Sequence, residues 1–227
     1  MIYVKKEVII FDFDGTLIES VNIKDKAFKK IFSRFPEKER KKAWDFHKEH
    51  SGWSRVEKFK ILLEGISEAQ HKIKMEELSI EFSVLVTEEI VKAPLVENTL
   101  QVLRNAQSSY ELFLVSITPQ KELEYILDNL HLSSFFTAVY GGTCKKEDII
   151  MNIINQHKLS RKNIVLIGDT LQDMEASQIC KIRFLGRINQ HVFPSNVFSS
   201  KSLLEIFNHL KGPHEDNLYD TRKNWKH

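Results

Sequence analysis

Two carboxylates one residue apart, Asp12 and Asp14, follow the apolar run Val8-Ile9-Ile10-Phe11 and precede Gly15, Thr16 and Leu17. Strand residues alternate in direction, so acids at i and i+2 leave a strand toward the same side. Two like charges at the exit of an apolar strand are costly unless a cation lies between them. Hard carboxylate oxygens suit magnesium, so metal-assisted chemistry is what such a pair would serve. Gly15 lets the chain turn sharply beside the acids. The plain alternative is a surface turn in which Asp and Gly only punctuate the strand end. A second pair, Asp169 and Asp173, follows the run Ile164-Val165-Leu166-Ile167-Gly168. Four residues apart, these acids face one site if a helix starts between them.

Two further groups have the same setting. Tyr110-Glu111-Leu112-Phe113-Leu114-Val115 ends in Ser116, Ile117, Thr118 and Pro119. A hydroxyl at a strand end, beside the free amides of a helix start, is an anion site, although Ser116 on its own reads equally as a turn residue. Thr118 is expected to cap the following helix, with Pro119 at its first position. Lys145 and Lys146 open a helix marked by Ile149, Ile150, Ile153 and Ile154. Cations at a helix N-terminus oppose its dipole, and a residue placed against local preference is a reason to suspect function. Lys146 fits the helix start better than Lys145, and the spacing leaves both open.

The elements that must position these groups are strands separated by helical segments. That order predicts an α/β fold, a Rossmann-like parallel sheet with right-handed crossovers. Ligands of such sheets bind at the carboxyl ends of the strands, where all the groups above fall. The predicted core covers residues 1–18 and 93–211, with Ile182–Gly186 as a last strand and a helix marked by Leu203, Leu204 and Phe207. Residues 19–92 carry apolar positions at helical spacing, with stripes at Ala27, Phe28, Ile31, Phe32 and at Leu78, Phe82, Leu85, Val86. Pro36 and Ser51-Gly52 break this region into several helices, which predicts an inserted all-helical cap domain. Its lysines and arginines from Lys24 to Lys42 alternate with acids and read as a solvated face. Residues 212–227 are polar and aperiodic, a loose tail.

One cap segment, Ser51-Gly52-Trp53-Ser54-Arg55-Val56-Glu57-Lys58-Phe59, combines a glycine turn, an aromatic and two cations. Trp53, Arg55 and Lys58 are candidates to lower over an anionic substrate. Equally, Ser51 or Ser54 caps a helix there and Trp53 is a packing anchor.

Composition narrows the class. At 227 residues, 42% hydrophobic and 28% charged, the chain has room for a core and a smaller inserted domain. A formal net charge of +2 gives no reason to expect a nucleic-acid or membrane partner. No apolar run approaches the roughly 20 residues needed to span a bilayer, and the first strand leaves no room for a signal peptide. Cys144 and Cys180 do not make a disulfide scaffold. A soluble cytoplasmic protein, a monomer or weak homodimer, is expected.

The run Asp12-Phe13-Asp14-Gly15-Thr16 resembles the first signature of the haloacid dehalogenase superfamily, and Gly168-Asp169-Thr170-Leu171-Gln172-Asp173 resembles its fourth. Ser116 and Lys146 match the hydroxyl and the lysine of the motifs between. The resemblance implies a magnesium-dependent phosphatase acting on a small phosphorylated metabolite, akin to the phosphoglycolate phosphatases. It implies Asp12 as nucleophile and Asp14 as acid and base. Thr16, Ser116, Ile117 and Lys146 would form the phosphate cradle. Magnesium would be held by Asp12, the Asp14 carbonyl and Asp169, with Asp173 acting behind them. It also admits a phosphomutase or phosphonate hydrolase on the same scaffold; a silent binding protein has no need of so costly a charge cluster.

Overall fold

The computed structural model describes residues 7–64 and 68–211; the expected tail lies outside them. In chain order the elements begin with β1 (Glu7–Phe11), followed by helices α1 (Val21–Phe32), α2 (Glu37–Glu49), α3 (Arg55–Leu62) and α4 (Glu68–Val91). Then come α5 (Thr99–Gln107), β2 (Tyr110–Ser116), α6 (Gln120–Asn129), β3 (Ala138–Gly141) and α7 (Lys146–Gln156). The chain continues with β4 (Ile164–Gly168), α8 (Leu171–Cys180), β5 (Arg183–Arg187), β6 (Ser199–Ser200) and α9 (Leu203–Lys211).

The six strands form one parallel sheet in the order β3-β2-β1-β4-β5-β6, with helices inserted between β1 and β2. β1 is central because it can be buried on both faces. Ile9 and Phe11 pack toward α5, α6 and α9, while Val8 and Ile10 pack toward α7 and α8. That alternation is the period-two reading of an unbroken apolar run. From β1 the chain builds outward to β2 and β3, then returns to β4 on the other side. The strand order therefore reverses beside β1, and a crevice opens above the carboxyl ends of β1 and β4.

β5 is not the last strand. β6 pairs beyond it through Arg187 and Ser200, and two serines carry no apolar signal that would mark a strand. The inserted helices share the core of the sheet: one apolar cluster runs from Phe11 through Phe13, Leu17 and Ile18 to Phe28, Phe59 and Phe82. Phe59 is fully buried, with its ring 6.1 Å from those of Phe28 and Phe32. Pro36 and Ser51-Gly52 fall between helices, and Ser54 caps α3 through a capping box with Glu57. No helix among the described residues is long and apolar enough to cross a membrane.

The shared cluster makes the insertion depend on a few large side chains. Phe59→Ala, which removes a fully buried ring, is expected to cost about 3–5 kcal/mol in urea unfolding. A loss below about 1 kcal/mol would mean that this ring does not hold the inserted helices together.

Candidate active site

Asp12, Ser116 and Asp169 stand at or directly after strand ends, while Lys146 and Asp173 come from the first turns of α7 and α8. Asp12 follows β1, and its amide still donates to the Ile167 carbonyl of β4 at 2.9 Å, so the ladder fixes where its carboxylate begins. The chain then turns at once, with the Leu17 amide donating to the Phe13 carbonyl and the Gly15 amide to Ile18. Gly15 sits at φ +80°, and a Cβ there would lie 2.1 Å from Asp169 Oδ2. Only glycine combines that backbone angle with that approach. At the end of β4, a Cβ on Gly168 would meet Asp173 Cγ at 2.5 Å. Thr170 caps α8 through a capping box with Asp173, which locks this second acid under the strand end.

The outcome is a buried cluster. Ligand oxygens of Asp12, Asp169 and Asp173 lie within 4.8 Å of one another. Lys146, the first residue of α7, reaches Asp12 Oδ1 at 2.6 Å and also donates to Asp173 Oδ1. Lys145 is the preceding cap residue, and its side chain is exposed. Thr16 Oγ1 donates to Asp12 Oδ2 at 3.1 Å, and Asn189 Nδ2 donates to Asp169 Oδ2 at 3.1 Å. Arg187 holds the loop from below by donating to the Gly15 carbonyl and pairing with Glu19 at 2.5 Å.

With all three carboxylates ionised, one ammonium would leave two negative charges uncompensated. Burial accordingly pushes Asp12 up to about 7; Lys146 opposes this, and Asp173 and Asp14 reinforce it. Burial and then Asp12 and Asp173 raise Asp169 well above its ordinary range. Burial works against the Lys146 charge, but Asp12 and Asp173 outweigh it and keep the amine protonated. Oxygen-only donors that carry an excess of two negative charges when ionised suit a hard divalent cation, so Asp12, Asp169 and Asp173 are the residues that could hold one.

Asp14 has a separate environment. Its carboxylate accepts from Ser20 at 2.7 Å, Thr118 at 3.0 Å and Ser116 at 3.3 Å, and it pairs with Lys24 at 2.5 Å. Burial would raise this acid, but the Lys24 ammonium and the hydrogen bonds outweigh burial and hold it below its ordinary value. Ser116 is fully buried, and Ile117 lines the cavity beside it.

Two sequence expectations change here. Lys24 is not part of a solvated face: it turns inward from α1 to Asp14 and Thr118. The signal was its spacing, because Ser20 and Lys24 continue the buried stripe of Phe28 and Ile31 at helical intervals. Thr118 does not cap α6. Pro119 occupies that position, which leaves the threonine hydroxyl free to bond Asp14. Arg55 lines the cavity as expected, but its guanidinium is engaged by Glu122 of α6 at 2.7 and 3.0 Å and by Ser83 at 2.6 Å, tying the insertion to a helix of the core. Trp53 lines the cavity and packs edge-on against His50 at 4.4 Å, so it also acts as an anchor.

Lys58 lines the same cavity. Its Nζ donates to His47 Nδ1 at 3.2 Å, while His47 Nε2 faces Asp25 at 2.9 Å. That chain assigns the Nε2–H tautomer to His47. Burial, reinforced by Lys58, takes His47 down to about 4 despite Asp25, so the ring is neutral at pH 7. Sequence motifs gave no hint of His47, Asp25 or Asn189.

Comparison with known proteins agrees with this geometry. Residues 9–187 match the family described as haloacid dehalogenase-like hydrolase, and the chain belongs to that family. Among solved structures, a haloacid dehalogenase-like family hydrolase from Streptococcus pneumoniae is 21% identical, with TM-score 0.68 over 90% of this chain and 98% of the other. A Bacillus subtilis protein described as a HAD-hydrolase bound to magnesium is 15% identical, with TM-score 0.64 over 91% and 99%. CbbY from Rhodobacter sphaeroides in complex with phosphate is 15% identical, with TM-score 0.67 over 86% and 93%. At these identities the likeness is one of fold. No curated protein sequence matches the chain.

The charge cluster has a consequence for metal affinity. Asp12 titrates near 7 in the folded, metal-free chain, so below that pH a proton competes with the cation. Asp169, raised by the same burial, must lose its proton as well, so binding releases protons and affinity rises with pH through neutrality. Calorimetry with a divalent cation is expected to show a dissociation constant that weakens by about tenfold or more per pH unit below 7. An affinity independent of pH between about 5.5 and 8 would contradict the assignment.

Proposed function

We propose that this chain is a magnesium-dependent phosphatase that hydrolyses a small phosphorylated metabolite through an aspartyl-phosphate. Residues 1–18 and 93–211 form the catalytic core, and residues 19–92 the cap. The reading rests on family membership and, above all, on one observation. Asp12, Asp14, Lys146 and Asp169, which are scattered over the sequence, border one cavity at the carboxyl edge of the sheet, and buried Ser116 bonds Asp14 beside it.

Phosphoryl transfer depends mainly on positioning and on neutralising charge. An Asp12 oxygen attacks phosphorus, and the bond from phosphorus to the ester oxygen breaks. Asp14 gives its proton to that oxygen as the alcohol leaves. Asp14 carries the proton once a dianionic phosphoryl group lies beside it, since a neighbouring negative charge raises an acid. In the second half, Asp14 takes a proton from water, whose oxygen attacks the phosphorus of the aspartyl-phosphate. Inorganic phosphate departs and Asp12 is restored. The Lys24 pair favours the ionised Asp14 needed for this second step.

Lys146 offsets charge on Asp12 and the phosphoryl oxygens, and the Ser116 hydroxyl and Ile117 amide hold those oxygens. Thr16 fixes the Asp12 rotamer. Magnesium, held by Asp12, the Asp14 carbonyl and Asp169 with Asp173 behind, would supply the positive charge that lets carboxylate and phosphate approach. The insertion excludes bulk water and selects the leaving group.

Turnover of p-nitrophenyl phosphate is expected to require magnesium and to be abolished by chelation. Asp12→Asn should lower kcat by roughly four orders of magnitude or more while the thermal unfolding midpoint is kept or raised. Full activity without Asp12, or in excess chelator, would overturn the reading.

A further inference from the structure

The cations lining the cavity are almost all matched to acids. Lys24 pairs with Asp14, Arg55 with Glu122, and Lys146 with Asp12 and Asp173. Lys58 is the exception. It is 4% exposed and forms no ion pair among the described residues. Its two hydrogen-bond partners, His47 Nδ1 and the Ser51 carbonyl at 3.4 Å, are neutral. The nearest acids are already engaged: Asp25 is held by His47 and Lys48, and Glu57 closes the capping box with Ser54. A buried ammonium without a counter-charge is a standing cost that an arriving anion would remove.

We propose that the alcohol released by this enzyme carries its own negative charge, a carboxylate or a second phosphate, and that Lys58 receives it. The proposal rests on the phosphatase reading, and it makes the Asp25–His47–Lys58 chain a specificity device in the cap. His47, fixed between Asp25 and Lys58, presents its lone pair to the amine and so aims it. Arg55 cannot serve in its place, because Glu122 takes up its charge. The cavity, of about 90 Å³, is continuous from Asp12 to Lys58, so one molecule can reach both. The electrostatics agree with an empty anion seat. Burial, and then Lys24 and Lys48 against Asp25 and Glu57, bring Lys58 down to about 7, and a bound anion would restore its charge.

The test uses the full chain with magnesium and four esters. These are 2-phosphoglycolate, ethylene glycol bisphosphate, and the uncharged-leaving-group controls ethyl phosphate and p-nitrophenyl phosphate. Wild type is expected to favour one anionic ester over ethyl phosphate by roughly tenfold to a hundredfold in kcat/KM, chiefly through KM. The preferred ester distinguishes carboxylate from phosphate. Lys58→Met should abolish that preference, and Lys58→Arg should restore part of it. The absence of any preference in wild type, or an equal loss on all four esters in Lys58→Met, would overturn the proposal. Should no ester turn over, the phosphatase reading fails by itself, and calorimetric binding of glycolate decides the anion seat. Binding by wild type that Lys58→Met loses supports it, and no binding or equal binding overturns it. If Lys58→Met does not fold, glycolate affinity of the wild type between pH 6.5 and 8.5 decides. Weakening with rising pH supports the seat, and a flat profile overturns it.

Discussion

Three carboxylates held within 4.8 Å of one another, against a single ammonium, are the constraint on which the rest of the structure depends. Such a cluster is unfavourable in itself, and burial makes it more so. It persists because each acid is fixed by elements that the fold cannot easily rearrange. Asp12 is held by the central ladder, Asp173 by the capping box of α8, and Asp169 by Asn189 and by the absence of a side chain at Gly15. Lys146 offsets part of the charge but, with all three acids ionised, leaves an excess of two. The site is thus one whose charge a divalent cation could balance.

The parallel sheet is what makes the cluster possible. Strands on both sides of β1 bring residues from positions 12, 116 and 169 to one edge, and α7 begins at that edge with Lys146. The inserted helices then complete the site with groups of a different kind. Lys24 and Ser20 reach the second aspartate, while His47 and Lys58 face the part of the cavity where a leaving group would lie. Two acids two residues apart in sequence consequently have opposite environments. Asp12 is raised by burial and neighbouring acids; Asp14 is lowered by an ammonium from the insertion. In the metal-free chain these shifts run opposite to those a nucleophile and a general acid need. The proposed chemistry therefore requires a cation beside Asp12 and a phosphoryl group beside Asp14 to reverse them.

The sheet and the acids could be read from the sequence because their signals are local. A doubly buried strand leaves an unbroken apolar run, and acids at its end stand out against it. Ser116 and Lys146 needed the order of the strands to acquire meaning. Lys24 left only its helical spacing from Phe28, and His47 and Asn189 left no comparable mark, because a histidine between aromatics becomes functional only through tertiary contact. Thr118 was visible but misplaced by one residue, since Pro119 itself took the capping position. For Arg55 the sequence offered charge without its partner: Glu122 is 67 residues away, and only the fold brings the two together. β6 was invisible because two serines at a sheet edge have no apolar pattern.

The central claim is that the Asp12, Asp169 and Asp173 cluster is a metal seat shared with a phosphoryl acceptor. It is tested most directly by a crystal structure of the full chain grown with manganese and recorded at the manganese absorption edge. The account predicts one anomalous peak bonded to carboxylate oxygens of Asp12 and Asp169, with Lys146 against Asp12. Manganese bound elsewhere, or Lys146 turned away from Asp12, would contradict it.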